Sequence, residues 1–288
     1  MPAILTETAR AKINLTLRVL GRRPDGYHEL ESLVAFADFG DEITLCAGAP
    51  VGVTVRGPFA PAIDGENIAA RALQRLAEVA PALTLGAIEI EKRLPVAAGI
   101  GGGSADAAAV LRAVRRANTR EAAAVDWVAL AASLGADVPV CLANTAQFMW
   151  GIGRETAPLP ALPALPAVLV NPGVPLATAA VFRALGAPPA AARNAPPEVP
   201  AQFADMAAVV AYLRARGNDL QPAAMALCPA IGTVLAALAA EPGTLAAGMS
   251  GSGPTCFAIA ETAATAEAAA RSVRARHPGW WAVATTLR

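Results

Sequence analysis

Between an alternating run, Ile88-Glu89-Ile90-Glu91, and an apolar-striped run from Ala107, the chain places four glycines in five positions, Gly99, Gly101, Gly102 and Gly103, and follows them with Ser104. The alternation predicts a strand. Ala107, Ala108, Val110, Leu111 and Val114, at three- and four-residue spacing, predict a helix. Few backbones satisfy that order of strand, Lys92-Arg93-Leu94-Pro95-Val96-Ala97-Ala98, glycine loop and helix start. Glycines let the chain take positive φ and come close to a ligand, and the unpaired N–H groups and dipole of a helix N-terminus favour phosphate. The competing reading is a tight strand-to-helix turn, which needs fewer glycines. No Lys-Ser/Thr follows the last glycine, so this is not the Walker loop, and Ser104 stands where the dinucleotide fingerprint requires its third glycine.

Upstream, Ile13-Asn14-Leu15-Thr16-Leu17-Arg18-Val19 alternates with period two, which predicts a half-buried strand carrying Lys12, Asn14, Thr16 and Arg18 on one face. A turn over 21–26 and short strands at 43–45 and 51–55 follow. Asp64 is the expected cap of a helix over 66–79, and a second helix over 127–134 stops at Gly135. From Pro158 to Pro166 every second or third residue is proline, which lacks a donor and fixes φ, so neither a helix nor an internal strand is expected there. That segment is read as the boundary between domains 1–157 and 158–288. Beyond it the pattern predicts a strand at 167–170, a helix at 177–185, a mobile Pro/Ala stretch over 186–200, two helices, strands near 244–247 and 255–260, a helix over 263–276 and a last strand at 282–287. Strands and helices interleave without strict βαβ repetition, which indicates an α+β fold.

At 288 residues and 55% hydrophobic, the chain can fill two cores, yet each long apolar run is broken before the ~20 residues a spanning helix needs. Met1-Pro2-Ala3-Ile4-Leu5-Thr6-Glu7 lacks the charged and apolar regions of a secretory leader. Cys46, Cys141, Cys228 and Cys256 stand far apart with no C-x-x-C pair, so neither a disulfide framework nor structural zinc is expected and a reducing cytoplasm is the default. Lys+Arg 23 against Asp+Glu 23 gives zero net charge, which argues against nucleic acid or an anionic membrane and for a small-molecule partner. Only Lys12 and Lys92 are lysines.

Leu94 to Ala105 resembles the ATP-phosphate loop of the GHMP kinases. Three further blocks agree, in order along the chain: Ala11-Lys12-Ile13-Asn14-Leu15 with Arg23-Pro24-Asp25-Gly26-Tyr27-His28-Glu29-Leu30, then Leu134-Gly135-Ala136-Asp137-Val138-Pro139, then Gly248-Met249-Ser250-Gly251-Ser252-Gly253-Pro254-Thr255. The first of these is similar to the GHMP branch that phosphorylates a cytidine-diphosphate-linked methylerythritol for isoprenoid synthesis. The resemblance implies a two-domain fold, an N-terminal mixed α/β nucleotide-binding domain and a C-terminal ferredoxin-like domain. It implies ATP and Mg²⁺ as co-substrate and cofactor, with ATP held by Pro95, Val96, Ala97, Ala98, Gly99, Ile100, Gly101, Gly102, Gly103, Ser104 and Ala105. Ser104 is a metal-ligand candidate by analogy with other phosphate loops.

By the same resemblance Asp137 is the base for the acceptor hydroxyl, where residue type alone suggests a turn or cap. Lys12 would keep Asp137 ionised and offset phosphoryl charge, its alternative being a solvated strand-end charge. Asn14, Gly251 and Ser252 would line the acceptor site; the alternative for 251–253 is a plain hairpin turn. His28 would hydrogen-bond cytosine between Tyr27 and Phe182, although Tyr27 and His28 also suit a packed loop and Phe182 a helix core. The chain departs from the commonest family form at Ile100 for Leu and at Ala105-Asp106 for Ser-Asn, and Asp106 could face a metal or solvent. Rival readings are a GHMP kinase for a smaller alcohol, of homoserine or mevalonate type, and a catalytically silent relative. A monomer or weak homodimer is expected, with no nucleic-acid or membrane partner.

Overall fold

The computed structural model describes residues 3–63, 65, 67–159, 162–190 and 202–288. Its strands are β1 (Ile4–Asn14), β2 (Arg18–Arg22), β3 (His28–Ala47), β4 (Gly52–Arg56), β5 (Gly86–Glu91), β6 (Gln147–Gly151), β7 (Glu155–Pro158), β8 (Leu165–Asn171), β9 (Thr244–Met249), β10 (Cys256–Ala260) and β11 (Trp281–Leu287). The α-helices are α1 (Ile68–Val79), α2 (Gly102–Ala117), α3 (Trp127–Leu134), α4 (Val138–Ala143), α5 (Thr178–Leu185), α6 (Met206–Arg216), α7 (Gln221–Leu227), α8 (Ala230–Ala239) and α9 (Ala263–Arg276). Residues 1–11, 39–96 and 101–144 form one compact unit, and 12–38, 97–100 and 145–288 form a second.

In the first unit β4 runs parallel to β5, and β5 pairs antiparallel with β3 from Glu42↔Glu91 to Ala47↔Gly86. Helices α1, α3 and α4 pack around α2, in which every residue from Ala105 to Val114 is buried. A helix buried on all sides must be small or apolar throughout, and the alanines of α2 let its neighbours approach. Its buried Arg112 is tolerated because the guanidinium donates to Glu7 Oε2, Cys141 O and Thr8 O at 2.9–3.0 Å.

In the second unit the sheet order β11-β8-β10-β9 is antiparallel throughout. Numbered along the chain these strands lie 4-1-3-2, with helices between the first and second and between the third and fourth, the ferredoxin-like arrangement. Alternate residues Val168 and Val170 of β8 and Cys256, Ala258 and Ala260 of β10 join Ile231 and Val234 of α8 and Val273 of α9 in one core. The whole is α+β, as its sequence pattern predicts.

The first strand does not run over 13–19. It stops at Asn14, where the N–H groups of Leu15 and Thr16 both reach the carbonyl of Leu33, at 2.8 and 3.4 Å, so two residues oppose one and pairing with β3 resumes only at Arg18. The cap of α1 is Asn67, whose Oδ1 accepts from the Ala69 N–H at 2.8 Å; Asp64 and Glu66 lie outside the described residues. Proline does enter strands. Pro158 closes β7, and Pro166 stands opposite Thr286 of β11 just before Ala167, the first β8 residue paired with β10, where a missing donor costs no ladder bond on that side. Pro160 and Ala161 lie outside the described residues, as do 191–201. Three helices, α6 to α8, occupy the stretch where two are expected. Gly135 ends α3 in extended backbone, φ 166°, rather than in a left-handed cap. No helix among the described residues is long and apolar enough to cross a membrane.

Candidate active site

In the second unit, the end of β1, the glycine loop and the late Gly-Ser-Gly block interlock. The Lys12 N–H donates to Ile100 O at 3.0 Å and the Thr255 N–H to Ala98 O at 3.2 Å. Asn14 donates its backbone N–H to Ser250 Oγ at 3.1 Å and its side-chain amide to Ser32 Oγ at 2.7 Å. Ser250 Oγ passes the chain on to Gly99 O at 3.0 Å. Lys12 and Asn14 are 4% and 2% exposed, so a solvated strand-end lysine is not what the fold makes of Lys12. Glycine is forced where these backbones meet. A Cβ on Gly99, φ 72°, would stand 2.5 Å from Gly253 O, and one on Gly251, φ 56°, would stand 3.0 Å from Gly99 O.

Residues 250–255 connect β9 to β10, so this block is a hairpin connection and, at the same time, a wall against the glycine loop. Asn218 Nδ2 holds it by donating to Met249 O and Gly251 O, both at 2.8 Å, and Ser252 Oγ lies 2.8 Å from Thr178 Oγ1.

Positive φ falls at Ala97 (52°), Gly99 (72°) and Gly101 (66°), while Gly102 and Gly103 already belong to α2. The left-handed residues therefore alternate before the helix instead of filling the whole glycine run. Gly101 is the N-cap and offers no side chain, which leaves the first-turn N–H groups of α2 without a side-chain cap and suited to an anion. Pro95, Ala98, Ile100 and Ala105 are buried anchors, whereas Val96 and Ala97 are exposed. Ile100 fills its core position at 1% exposure, as a volume-conserving exchange for Leu should.

Asp137 occupies the N-cap position of α4, yet its carboxylate makes no capping hydrogen bond to that helix. The capping role that residue type suggests is not the one adopted. His28 begins β3, with its ring 4.7 Å from that of Phe182 and tilted 31° to it. Burial, reinforced by the nearby Arg22 charge, lowers the His28 pKa. Phe182 is only partly buried and packs on the core from α5, and Tyr27 is 58% exposed in the preceding turn.

Asp106 is 5% exposed and does not face solvent. Its Oδ2 accepts from Lys92 Nζ at 2.6 Å, and Lys92 donates equally to Asp41 Oδ2 at 2.5 Å. Asp41 Oδ1 accepts the N–H groups of Arg93 and Leu94 at 2.6 and 2.8 Å. Burial pushes Asp106 up to about 7, with Lys92 opposing and Asp41 adding to the rise. Burial also works against the Lys92 charge, but the two carboxylates outweigh it and hold Lys92 above the ordinary lysine value. Asp41, Ser32 and Asn218 carry no local pattern that marks them, since each acts on a partner distant in sequence, and Ser250 stands out only as part of the block 248–255. The scarcity of lysine was the one sequence signal pointing to Lys92.

Comparison with known proteins shows the family and the fold. The N-terminal domain of the GHMP kinases matches residues 67–146 and their C-terminal region matches 200–279. A 4-diphosphocytidyl-2-C-methyl-D-erythritol kinase of Rhodopseudomonas palustris is 50% identical over 294 residues, spanning 98% of this chain and 97% of that protein. One from Parvibaculum lavamentivorans is 49% identical over 284 residues, 98% and 97% of the two chains. A crystal structure of 4-(cytidine 5'-diphospho)-2C-methyl-D-erythritol kinase superposes with a TM-score of 0.78 at 36% identity, covering 98% of this chain and 99% of that one. Homoserine kinase from Cytophaga hutchinsonii, at 17% identity, TM-score 0.64 and coverage of 99% and 95%, shares the fold.

Proposed function

The chain belongs to the GHMP kinases, in the branch of the 4-diphosphocytidyl-2-C-methyl-D-erythritol kinases, and on that premise we propose the part each of its site residues plays. The enzyme moves the γ-phosphoryl group of ATP to the 2-hydroxyl of 4-diphosphocytidyl-2-C-methyl-D-erythritol in the non-mevalonate pathway to isoprenoid precursors. Phosphoryl transfer demands little covalent chemistry and much positioning and charge compensation. Residues 95–105 hold ATP, the first-turn N–H groups of α2 taking its phosphates. Asp137 orients the acceptor hydroxyl and accepts its proton. Lys12 offsets charge on the transferring group, and Asn14, Gly251 and Ser252 line the acceptor side.

His28 reads the cytosine edge as a neutral imidazole, which its lowered pKa favours at neutral pH, with Phe182 setting the ring and Tyr27 offering an aromatic face. Mg²⁺, when bound, would neutralise phosphate charge. Ser104, on the first turn of α2, is the residue that would hold it. We place the enzyme in the cytoplasm as a monomer or weak homodimer, without nucleic-acid or membrane partners.

The observation that supports reading Lys12 with the phosphate loop is the relay from Asn14 through Ser250 to Gly99, which ties the segment beside Lys12 to that loop. The test is a coupled ADP-release assay on a panel of alcohols. Turnover with the cytidyl substrate and little with homoserine or mevalonate is expected; preference for a small alcohol would overturn the cytosine assignments.

A further inference from the structure

We propose that Lys92, Asp41 and Asp106 form a buried charge clamp that sets the position of the phosphate loop, and that Lys92 and Asp106 are thereby positioning residues for the nucleotide. This rests on the reading of 95–105 as the ATP loop. The loop leaves β5 after Glu91 and lands on α2 at Gly102. Lys92 is the first residue after the strand, and Asp106 lies one turn into the helix. Their 2.6 Å ion pair therefore closes the two ends of the loop on each other. Asp41, from β3, fixes the departing end twice: it binds Nζ at 2.5 Å and, through its other oxygen, the backbone N–H groups of Arg93 and Leu94. A Cβ on Gly102 would lie 3.5 Å from Lys92 Nζ, so the ammonium stands directly against the first residue of α2.

Lys92, Asp41 and Asp106 are 3%, 0% and 5% exposed. Charges so buried persist only when paired, and such a pair is short and directional rather than loose. Asp106 Oδ1 is buried with no hydrogen-bond partner, so the carboxylate depends on Lys92 for its compensation. A glycine-rich loop loses much backbone entropy when it is ordered. A clamp across its ends meets part of that cost during folding, so that less is charged against nucleotide binding. Asn at position 106 would keep a hydrogen bond from Lys92 Nζ without the charge.

The experiment compares wild type, Asp106→Ala and Asp106→Asn, measuring KM for ATP, KM for the cytidyl substrate, kcat and thermal midpoint. Asp106→Ala is expected to raise KM for ATP on the order of tenfold with the cytidyl KM within about twofold, and Asp106→Asn to restore most of it. A merely structural aspartate would lower the midpoint and leave both KM values alone, or move them together, and either result overturns the clamp. Should Asp106→Ala not fold, Asp106→Ser makes the same cut, being too short to reach Lys92. Gly99→Val separates the underlying reading: if that variant binds ATP as the wild type does, the loop assignment fails, and the clamp with it, whatever Asp106 does. If Gly99→Val loses ATP while Asp106→Ala keeps a normal KM for it, the clamp alone is wrong.

Discussion

Asp137 heads α4 without capping it, so replacing its carboxylate with an amide removes a charge, and on the proposed role the base, while sparing the helix. Asp137→Asn is expected to lower kcat by roughly 10²–10⁴-fold with both ligands still bound, the range of a general base. Turnover measured beside calorimetric affinities checks it; a variant keeping more than about a tenth of kcat does not fit. His28 allows a pH test as well. Its pKa is depressed below the ordinary 6.5, so the folded protein resists protonating it. In the window just below 6.5 the unfolded chain binds the proton more readily, and acid costs stability there. Imidazolium has no acceptor for the cytosine amino group, so KM for the cytidyl substrate should be flat above pH 6.5 and climb below it, while KM for ATP does not. His28→Ala should flatten that climb, raise the cytidyl KM less than tenfold, as one neutral hydrogen bond worth about 0.5–1.5 kcal/mol allows, and weaken discrimination against a uridyl analogue. Asp137 and His28 stand out in the sequence only through the blocks that resemble the GHMP kinases. Asp41 was not legible, since an aspartate near the middle of a strand announces nothing until Lys92 and two backbone N–H groups are brought to it from fifty residues away.

At the scale of the element, the glycine loop was legible as a loop but not in its detail. Four glycines invite the inference that all of them take positive φ; Gly102 instead opens α2, and Ala97 is left-handed in its place. Gly99→Val and Gly102→Ala should therefore part company. The first sets a Cβ 2.5 Å from Gly253 O on a left-handed backbone, and should lose ATP binding and stability together. The second meets Lys92 Nζ only at van der Waals distance and should fold with a stability within about 0.5 kcal/mol of wild type. Thermal midpoints and nucleotide titrations of the two variants decide it. The long strand β3 was legible only at its far end, where Ile43 and Leu45 alternate with half-buried residues. From Ser32 to Ala37 all six positions are buried, so both faces are covered and the period-two signal disappears. Asn67 was missed as the cap of α1 because Asp64 is an equally good capping type three residues earlier, and composition cannot rank two candidates so close.

For the molecule as a whole, local motifs reveal chemistry while strand order comes from pairings that no short window contains. The last strand illustrates this. Residues 282–287 read as a strand from their own composition, yet nothing local says that β11 inserts beside β8 and reaches β3. In the fold, Leu287 is fully buried and stands opposite both Leu165 of β8 and Ala37 of β3. The neighbouring residues complete the contact: Phe36 N–H donates to Arg288 O at 2.8 Å and Arg288 N–H to Phe36 O at 2.9 Å. The penultimate side chain of the sequence thus joins the ferredoxin-like sheet to the strand that begins with His28. Leu287→Ala removes buried methyl groups where strands on both sides hold the backbone in place, so the cavity cannot collapse. A loss of about 2–4 kcal/mol in unfolding free energy follows from comparable core truncations. Because the register partners of Leu287, Leu165 and Ala37, are not assigned to ATP or the cytidyl group, both KM values should stay within about twofold of wild type when assayed well below the new midpoint. Urea denaturation paired with low-temperature kinetics reads both quantities. A destabilisation under about 1 kcal/mol would mean that the chain end is peripheral to this sheet, whereas a shifted cytidyl KM at full folding would mean that the end of β11 transmits to the His28 end of β3.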